Sequence, residues 1–211
     1  MKALFITFEG PDGAGKSTQI KKFVSYLKSK EIPFLLTREP GGTALGDRIR
    51  RIVLDPEHKN VDERAETLLY LASRAQHVSE VILPALKQGK IVVCDRFSDS
   101  TLAYQGFARE LGMGEIAKLN EFATGGLKAD LTFLLDAPTE MLRARRAKRK
   151  LVDRMELEKG HFQEQVRQGF LQLSKLEPSR IHLLAALQPV MVIQREIIQI
   201  FESHLADSER K

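Results

Sequence analysis

Five short apolar runs divide the chain: "ALFITF" at residues 3–8, "PFLLT" at 33–37, "IVVCD" at 91–95, "LTFLLD" at 131–136 and "IHLLAA" at 181–186. Their apolar character is nearly continuous rather than alternating, the pattern of strands buried on both faces, and segments with helical spacing separate them. Repeated strand, crossover helix and strand make a doubly wound α/β fold, a five-stranded mainly parallel sheet with helices on both faces. No internal repeat or low-complexity linker interrupts the pattern, and 211 residues suit one domain with a substantial core. Sheets of this kind bind ligands at the carboxyl ends of their strands. Function is therefore sought in the segment directly after each run.

After the first run comes "EGPDGAGKST". Gly10, Gly15, Lys16 and Ser17 complete G-x-x-x-x-G-K-[ST], and Gly13 adds a third residue without a Cβ. Such a loop turns several N–H groups inward around a polyphosphate, with the lysine neutralising its outer charge and the hydroxyl ligating Mg²⁺. By average residue usage the full pattern arises by chance in roughly one chain of this length in a hundred. Its place between a strand-like and a helix-like run is the context it requires. Gly10, Pro11, Asp12, Gly13, Ala14, Gly15, Lys16, Ser17 and Thr18 are thus read as the nucleoside triphosphate site.

Composition narrows the rest. A hydrophobic fraction of 43% with 29% charged residues is that of a soluble globular protein, no apolar run is long enough to span a bilayer, and "MKALFITFEG" is too short in its apolar part for a signal peptide. The expected location is the cytoplasm, with no membrane partner. The net charge of +5 fits either nucleic acid or nucleotide polyanions and does not choose between them. Cys94 lies inside an apolar run and reads as a small buried side chain. His58, His161, His182 and His204 show no metal-ligand spacing.

The segments after the other strands carry further chemistry. Asp95 and Arg96 end the third run: the carboxylate suits Mg²⁺, directly or through water, or else a helix cap or structural ion pair, while the planar guanidinium suits a phosphoryl group. In "LLYLASRAQH", Tyr70, Arg74 and His77 share one helical face. A ring beside a guanidinium can stack a base and bond its carbonyl edge; the plainer alternative is a half-buried tyrosine with a surface arginine, and His77 reads as structural. The basic run "RARRAKRKLVDR" at 143–154 is a solvated helix, a nucleic-acid stripe or a lid over transferring phosphates. After the fifth run, "LQPVMVIQREI" suits a base better than a phosphate.

Together, "FEGPDGAGKST", "TREPGGT", "LLYLASRAQH", "DRFSDSTLAYQG" and "DRME" closely resemble the thymidylate kinase family, and the resemblance runs from residue 5 through "LQPVMVIQREI". It implies a P-loop nucleoside-monophosphate-kinase-like fold with a small basic lid at about 143–155, and phosphorylation of dTMP to dTDP by ATP with Mg²⁺, for which Ser17 and Asp95 are the candidates read above. It further implies that Asp12 contacts the acceptor sugar or orients an arginine, that Arg96 binds the acceptor phosphate, and that Tyr70 stacks on thymine while Arg74 reaches O4. Ser100 or Thr101 falls near N3, Tyr104 and Gln105 close the sugar pocket, and Glu39 belongs to the same acceptor site. Arg50 is a second phosphate contact, with Arg48 and Arg51 as rivals. A homodimer is implied, and no nucleic-acid partner.

One departure matters. Some members of that family carry an arginine after the loop aspartate, where this chain has Gly13. In the subgroup without it the lid supplies the catalytic cation, and here the lid is densely basic: Arg149 and Arg154 are the expected residues, with Arg143, Arg145 and Arg146 as alternates. Lys16, Arg96 and that lid cation would surround the moving phosphoryl group. No strong base is needed, because a phosphomonoester with a second pKa of about 6 is largely ionised at neutral pH. A nearby rival is another nucleoside or nucleoside-monophosphate kinase; a GTPase-type switch lacks its N-K-x-D signature.

Overall fold

The computed structural model describes residues 3–58, 60–146, 153–158 and 160–209. Strands β1 (Phe5–Glu9), β2 (Phe34–Arg38), β3 (Ile91–Asp95), β4 (Leu131–Asp136) and β5 (Ile181–Ala185) form one sheet in the order β2-β3-β1-β4-β5. Every pairing is parallel. The helices are α1 (Lys16–Ser29), α2 (Ala44–Val53), α3 (Glu63–His77), α4 (Leu83–Lys87), α5 (Ser98–Thr101), α6 (Met113–Thr124), α7 (Thr139–Arg146), α8 (Gly160–Leu176) and α9 (Val190–Glu209). π-Helical turns at Val78–Ile82 and Leu102–Ala108 extend α3 and α5. No helix among the described residues is long and apolar enough to cross a membrane.

Side chains alternate between the two faces of the sheet, and both faces are covered. Leu4, Ile6 and Phe8 join Val93, Phe133 and Leu135 under α1 and α9, where Phe23 and Phe201 meet edge to face at 5.1 Å between ring centres. Phe5, Val92 and Cys94 pack on the opposite side with Phe97 and Ile82, and Leu134 packs there with Tyr104 and Phe170 of α8. The strands expected to be buried on both faces divide accordingly. β1, β3 and β4 are, whereas β2 and β5 are the sheet edges and are partly exposed, with Leu36 and Leu183 each about half open to solvent.

The register sets up the site. Phe8 and Arg38 both lie opposite Asp95, so the carboxyl ends of β1, β2 and β3 stand side by side where the chain order switches direction. The loops leaving these three strands open onto one crevice.

Candidate active site

The turn after β1 is shaped by backbone. Gly10 has φ 127°, and a Cβ there would lie 2.2 Å from the Leu135 carbonyl oxygen of β4, so the loop passes too close to the sheet for any other residue. Gly15 caps α1 in the left-handed conformation with no side-chain acceptor on the first-turn N–H groups, an arrangement suited to an anion. Lys16 lies folded over this turn: its Nζ donates to Gly10 O at 2.9 Å and Pro11 O at 3.3 Å and sits 3.9 Å from Asp12 Oδ1. Burial, and then the Arg96 charge, push its pKa down to about 8. Ser17 and Thr18 are exposed at the mouth.

Arg96 is a non-glycine residue at φ 72°. That conformation costs about 1–3 kcal/mol and persists only where the surroundings over-determine it. They do so here. Its N–H donates to Phe8 O at 3.0 Å, Nη2 donates to Asp12 Oδ1 at 2.7 Å, Nη1 donates to Ser100 Oγ at 3.0 Å, and the guanidinium stands 5.3 Å from the Tyr104 ring centre. Burial opposes its charge, but Asp12, Tyr104 and Glu9 outweigh that and hold it well above its ordinary range. Glu9, fully buried at the end of β1, accepts from Phe97 N at 2.7 Å and Ser100 Oγ at 2.6 Å; burial, then the Asp99 charge, push its pKa up to about 7. Tyr104 donates to Asp12 Oδ2 at 3.3 Å. Asp12 therefore joins the phosphate loop to the pocket beside it.

On α3, Tyr70 is half-buried, its phenol shifted up by burial and then by Glu66. Arg74 corrects the plainer sequence reading of a surface arginine. It is only 2% exposed, with Nε donating to Glu39 Oε2 at 2.8 Å and Nη1 to Thr101 Oγ1 at 2.8 Å and Asn120 Oδ1 at 2.5 Å. Glu39 uses its other oxygen on His77 Nδ1 at 2.9 Å, and His77 Nε2 meets Thr37 Oγ1 at 2.6 Å. That histidine is structural, as its sequence context suggested. Cys94 is a buried thiol facing Arg96 O at 3.0 Å, shifted well upward by burial.

A cavity of about 270 Å³ collects these groups. It is lined by Asp12, Gly13, Gly15, Lys16, Ser17, Thr18, Glu39, Arg50, Tyr70, Arg74, Asp95, Arg96, Ser100, Thr101, Tyr104 and Gln105. Gly10, Pro11 and Ala14 stand behind the loop surface rather than in the lining. Of the three arginines of α2, Arg50 reaches the cavity, steadied by Pro40 O at 3.0 Å, while Arg48 and Arg51 are exposed outside it.

The basic run is only partly gathered. Arg149 lies outside the described residues, as does the side chain of Arg146. Arg143 is exposed, and Arg145 donates to Ala186 O at 3.2 Å. Arg154, expected as a lid cation, does not line the cavity. It is buried, with Nη2 on Glu66 Oε2 at 2.6 Å and Nε on Val53 O at 3.0 Å. Its neighbours Asp153, Met155 and Glu156 do line the cavity, as does Arg38. No spacing of their own singles out these four, although Arg38 ends β2, where the carboxyl end of a strand in such a sheet marks a ligand position.

A family model described as thymidylate kinase matches residues 8–197. That range holds the glycine-rich turn after β1 and every residue that lines the cavity. The chain belongs to the thymidylate kinase family. A thymidylate kinase of Exiguobacterium sp. is 48% identical over 198 residues, covering 94% of this chain and 93% of that one. A thymidylate kinase of Lactobacillus helveticus is 45% identical over 210 residues, covering 98% and 99%. The crystal structure of thymidylate kinase from Ehrlichia chaffeensis superimposes with a TM-score of 0.76 at 33% identity, covering 96% of this chain and 99% of that one. The chain is a nucleoside monophosphate kinase of this family, and phosphorylation of the small molecule dTMP, with ATP as the donor, is the activity that membership carries.

Proposed function

We propose that one kinase domain, residues 1–211 with a lid at about 143–155, carries out this transfer in the cavity above the carboxyl ends of β1 and β3. The observation that carries the reading is Asp12, which belongs to the donor loop yet accepts from Arg96 at 2.7 Å and Tyr104 at 3.3 Å in the acceptor pocket. Donor and acceptor phosphates meet there. The loop amides and Lys16 hold the ATP phosphates, the lysine exchanging the Gly10 and Pro11 carbonyls for phosphate oxygens. Arg96 and Arg50 hold the dTMP phosphate, and the strained backbone at residue 96 aims the first of them. Tyr70 stacks on the base, Arg74 donates to O4 with Glu39 fixing its orientation, and Ser100, Thr101 and Gln105 complete the pocket. The Tyr104 ring occupies the space a ribose 2′-hydroxyl would need. The attacking phosphate oxygen arrives ionised, so no side chain has to remove a proton.

Mg²⁺ fits the residues present. Ser17 and Asp95 line the same cavity, and Asp95 Oδ1 is buried without a partner among the described residues. No cluster of three His, Cys, Asp or Glu exists among the described residues, so the ion would be held by one hydroxyl, one carboxylate and the phosphates, a usual Mg²⁺ environment. When bound it supplies charge neutralisation between the phosphates. With Gly13 in place of a loop arginine, the lid supplies the remaining cation, Arg149 being the foremost residue, while Arg154 anchors the end of the lid against Glu66. The protein works in the cytoplasm as a homodimer. Support for the dimer is that α2 and α6, both packed against α3, and α3 itself each carry an exposed large apolar side chain, Ile52, Phe122 and Leu68, Phe122 being 89% exposed.

ADP release measured with dTMP, dUMP, ribo-TMP, dCMP and thymidine as acceptors tests the reading. Turnover is expected to be highest with dTMP and weak with ribo-TMP; phosphorylation of thymidine but not of dTMP would overturn it.

A further inference from the structure

One buried cluster joins the lid anchor to the pocket wall. Glu66 is fully shielded from solvent and accepts from three side chains: Gln105 Nε2 at 2.8 Å on Oε1, Arg154 Nη2 at 2.6 Å on Oε2, and Arg109 through Nε at 3.5 Å and Nη2 at 3.3 Å. A carboxylate this deep persists as an ion only with such partners, and two guanidinium groups supply them. Each is held from a second side. Arg154 donates to Val53 O, and Arg109 pairs with Glu158 and stands 4.4 Å from the Phe162 ring centre.

The consequence falls on Gln105. Its amide has one donating and one accepting end, and an ionised carboxylate can engage only the donor. Glu66 therefore takes Nε2, and Oε1 is left for the cavity that Gln105 lines. We propose that Glu66 is a specificity-setting positioning residue: by locking this amide it makes the pocket offer a hydrogen-bond acceptor, and so selects pyrimidines whose ring nitrogen N3 carries a hydrogen over cytosine, whose N3 is itself an acceptor. The inference rests on the placement of the acceptor base in this cavity, and it moves the N3 contact expected of Ser100 or Thr101 to Gln105, because Ser100 Oγ is engaged by Arg96 and Glu9 and Thr101 Oγ1 by Arg74. Arg154 and Arg109 serve it indirectly, by keeping Glu66 charged and hence unable to donate.

Glu66→Gln tests it, because a neutral amide at 66 can donate to Gln105 Oε1, turn the amide over and present Nε2 to the base. The readout is kcat/KM for dTMP divided by that for dCMP, with thermal denaturation run alongside. The expected result is a fall in this ratio of about tenfold or more, the scale of one mispaired buried hydrogen bond, expressed mainly in KM for dTMP with KM for ATP unchanged. The double variant Glu66→Gln with Gln105→Glu restores an acceptor-only group facing the base and is expected to recover the ratio. An equal loss for both acceptors, with the ratio unchanged, overturns the proposal and leaves Glu66 a structural ion. If Glu66→Gln does not fold, Gln105→Met leaves both arginine pairs in place, and an unchanged ratio there overturns the proposal equally. Failure of the unaltered protein to phosphorylate dTMP would instead refute the acceptor-site reading itself.

Discussion

Raising the pH should loosen the grip on ATP through Lys16. In the free protein its ammonium is buried, held by two loop carbonyls and the more distant Asp12, with Arg96 repelling it. The gap between its ordinary value of 10.5 and about 8 corresponds to about 3 kcal/mol by which the fold disfavours the charged form. Below pH 8 the lysine is charged in both the folded and unfolded chain and the penalty is constant; between about 8 and 10.5 the folded chain sheds the proton first, so stability of the free protein rises with pH there. Nucleotide binding works the other way. The phosphates require the charged form, so ATP affinity should be flat up to about pH 8 and then weaken by about tenfold per pH unit until the lysine in the complex titrates. Calorimetric titration with ATP from about pH 6.5 to about 9.5, a range that brackets the shifted value, measures it. Lys16→Met should lower affinity at neutral pH by about 2 kcal/mol, roughly thirtyfold, and abolish the alkaline slope. An affinity that stays flat across that range in the unaltered protein, or a slope that survives in Lys16→Met, refutes the reasoning.

Gly10→Ala places a Cβ 2.2 Å from a sheet carbonyl that cannot move without disturbing β4, and should destabilise the protein by about 3 kcal/mol or more, read as a lowered urea midpoint with ATP binding lost at temperatures where the chain still folds. Arg149→Ala should reduce kcat by about a hundredfold with KM for dTMP changed only a few-fold if, as proposed, Arg149 supplies the lid charge to the transferring phosphoryl group; normal turnover would take the lid out of the mechanism. Arg154→Ala is a poor substitute for that test, because it also strips a partner from buried Glu66.

The phosphate loop and the five strands were readable because both depend on local chemistry: glycines that permit positive φ, and apolar runs whose length and continuity mark a buried strand. Strand ends were placed within two residues for the same reason. The exposure of β2 and β5 was not readable, since an edge differs from a centre only in whether a neighbour pairs with it. Tyr70 and Arg74 share a helical face in the sequence, yet only packing against Glu39, Thr101 and Asn120 turned Arg74 from a surface cation into a buried one.

The arginines make the division plain. By itself the sequence determined that this chain is rich in arginine and carries a G-x-x-x-x-G-K-[ST] loop with no arginine inside it, because charge and motif spacing are properties of the string. Which arginine faces the cavity and which is spent on a buried carboxylate was decided by tertiary structure alone: Arg50 rather than Arg48 or Arg51, and Arg154 turned toward Glu66 rather than into the cavity. Ion pairs between residues as far apart as 66 and 154 have no period and no local signature. They form because a charge taken out of water must find its opposite, and only the fold determines which opposite is within reach.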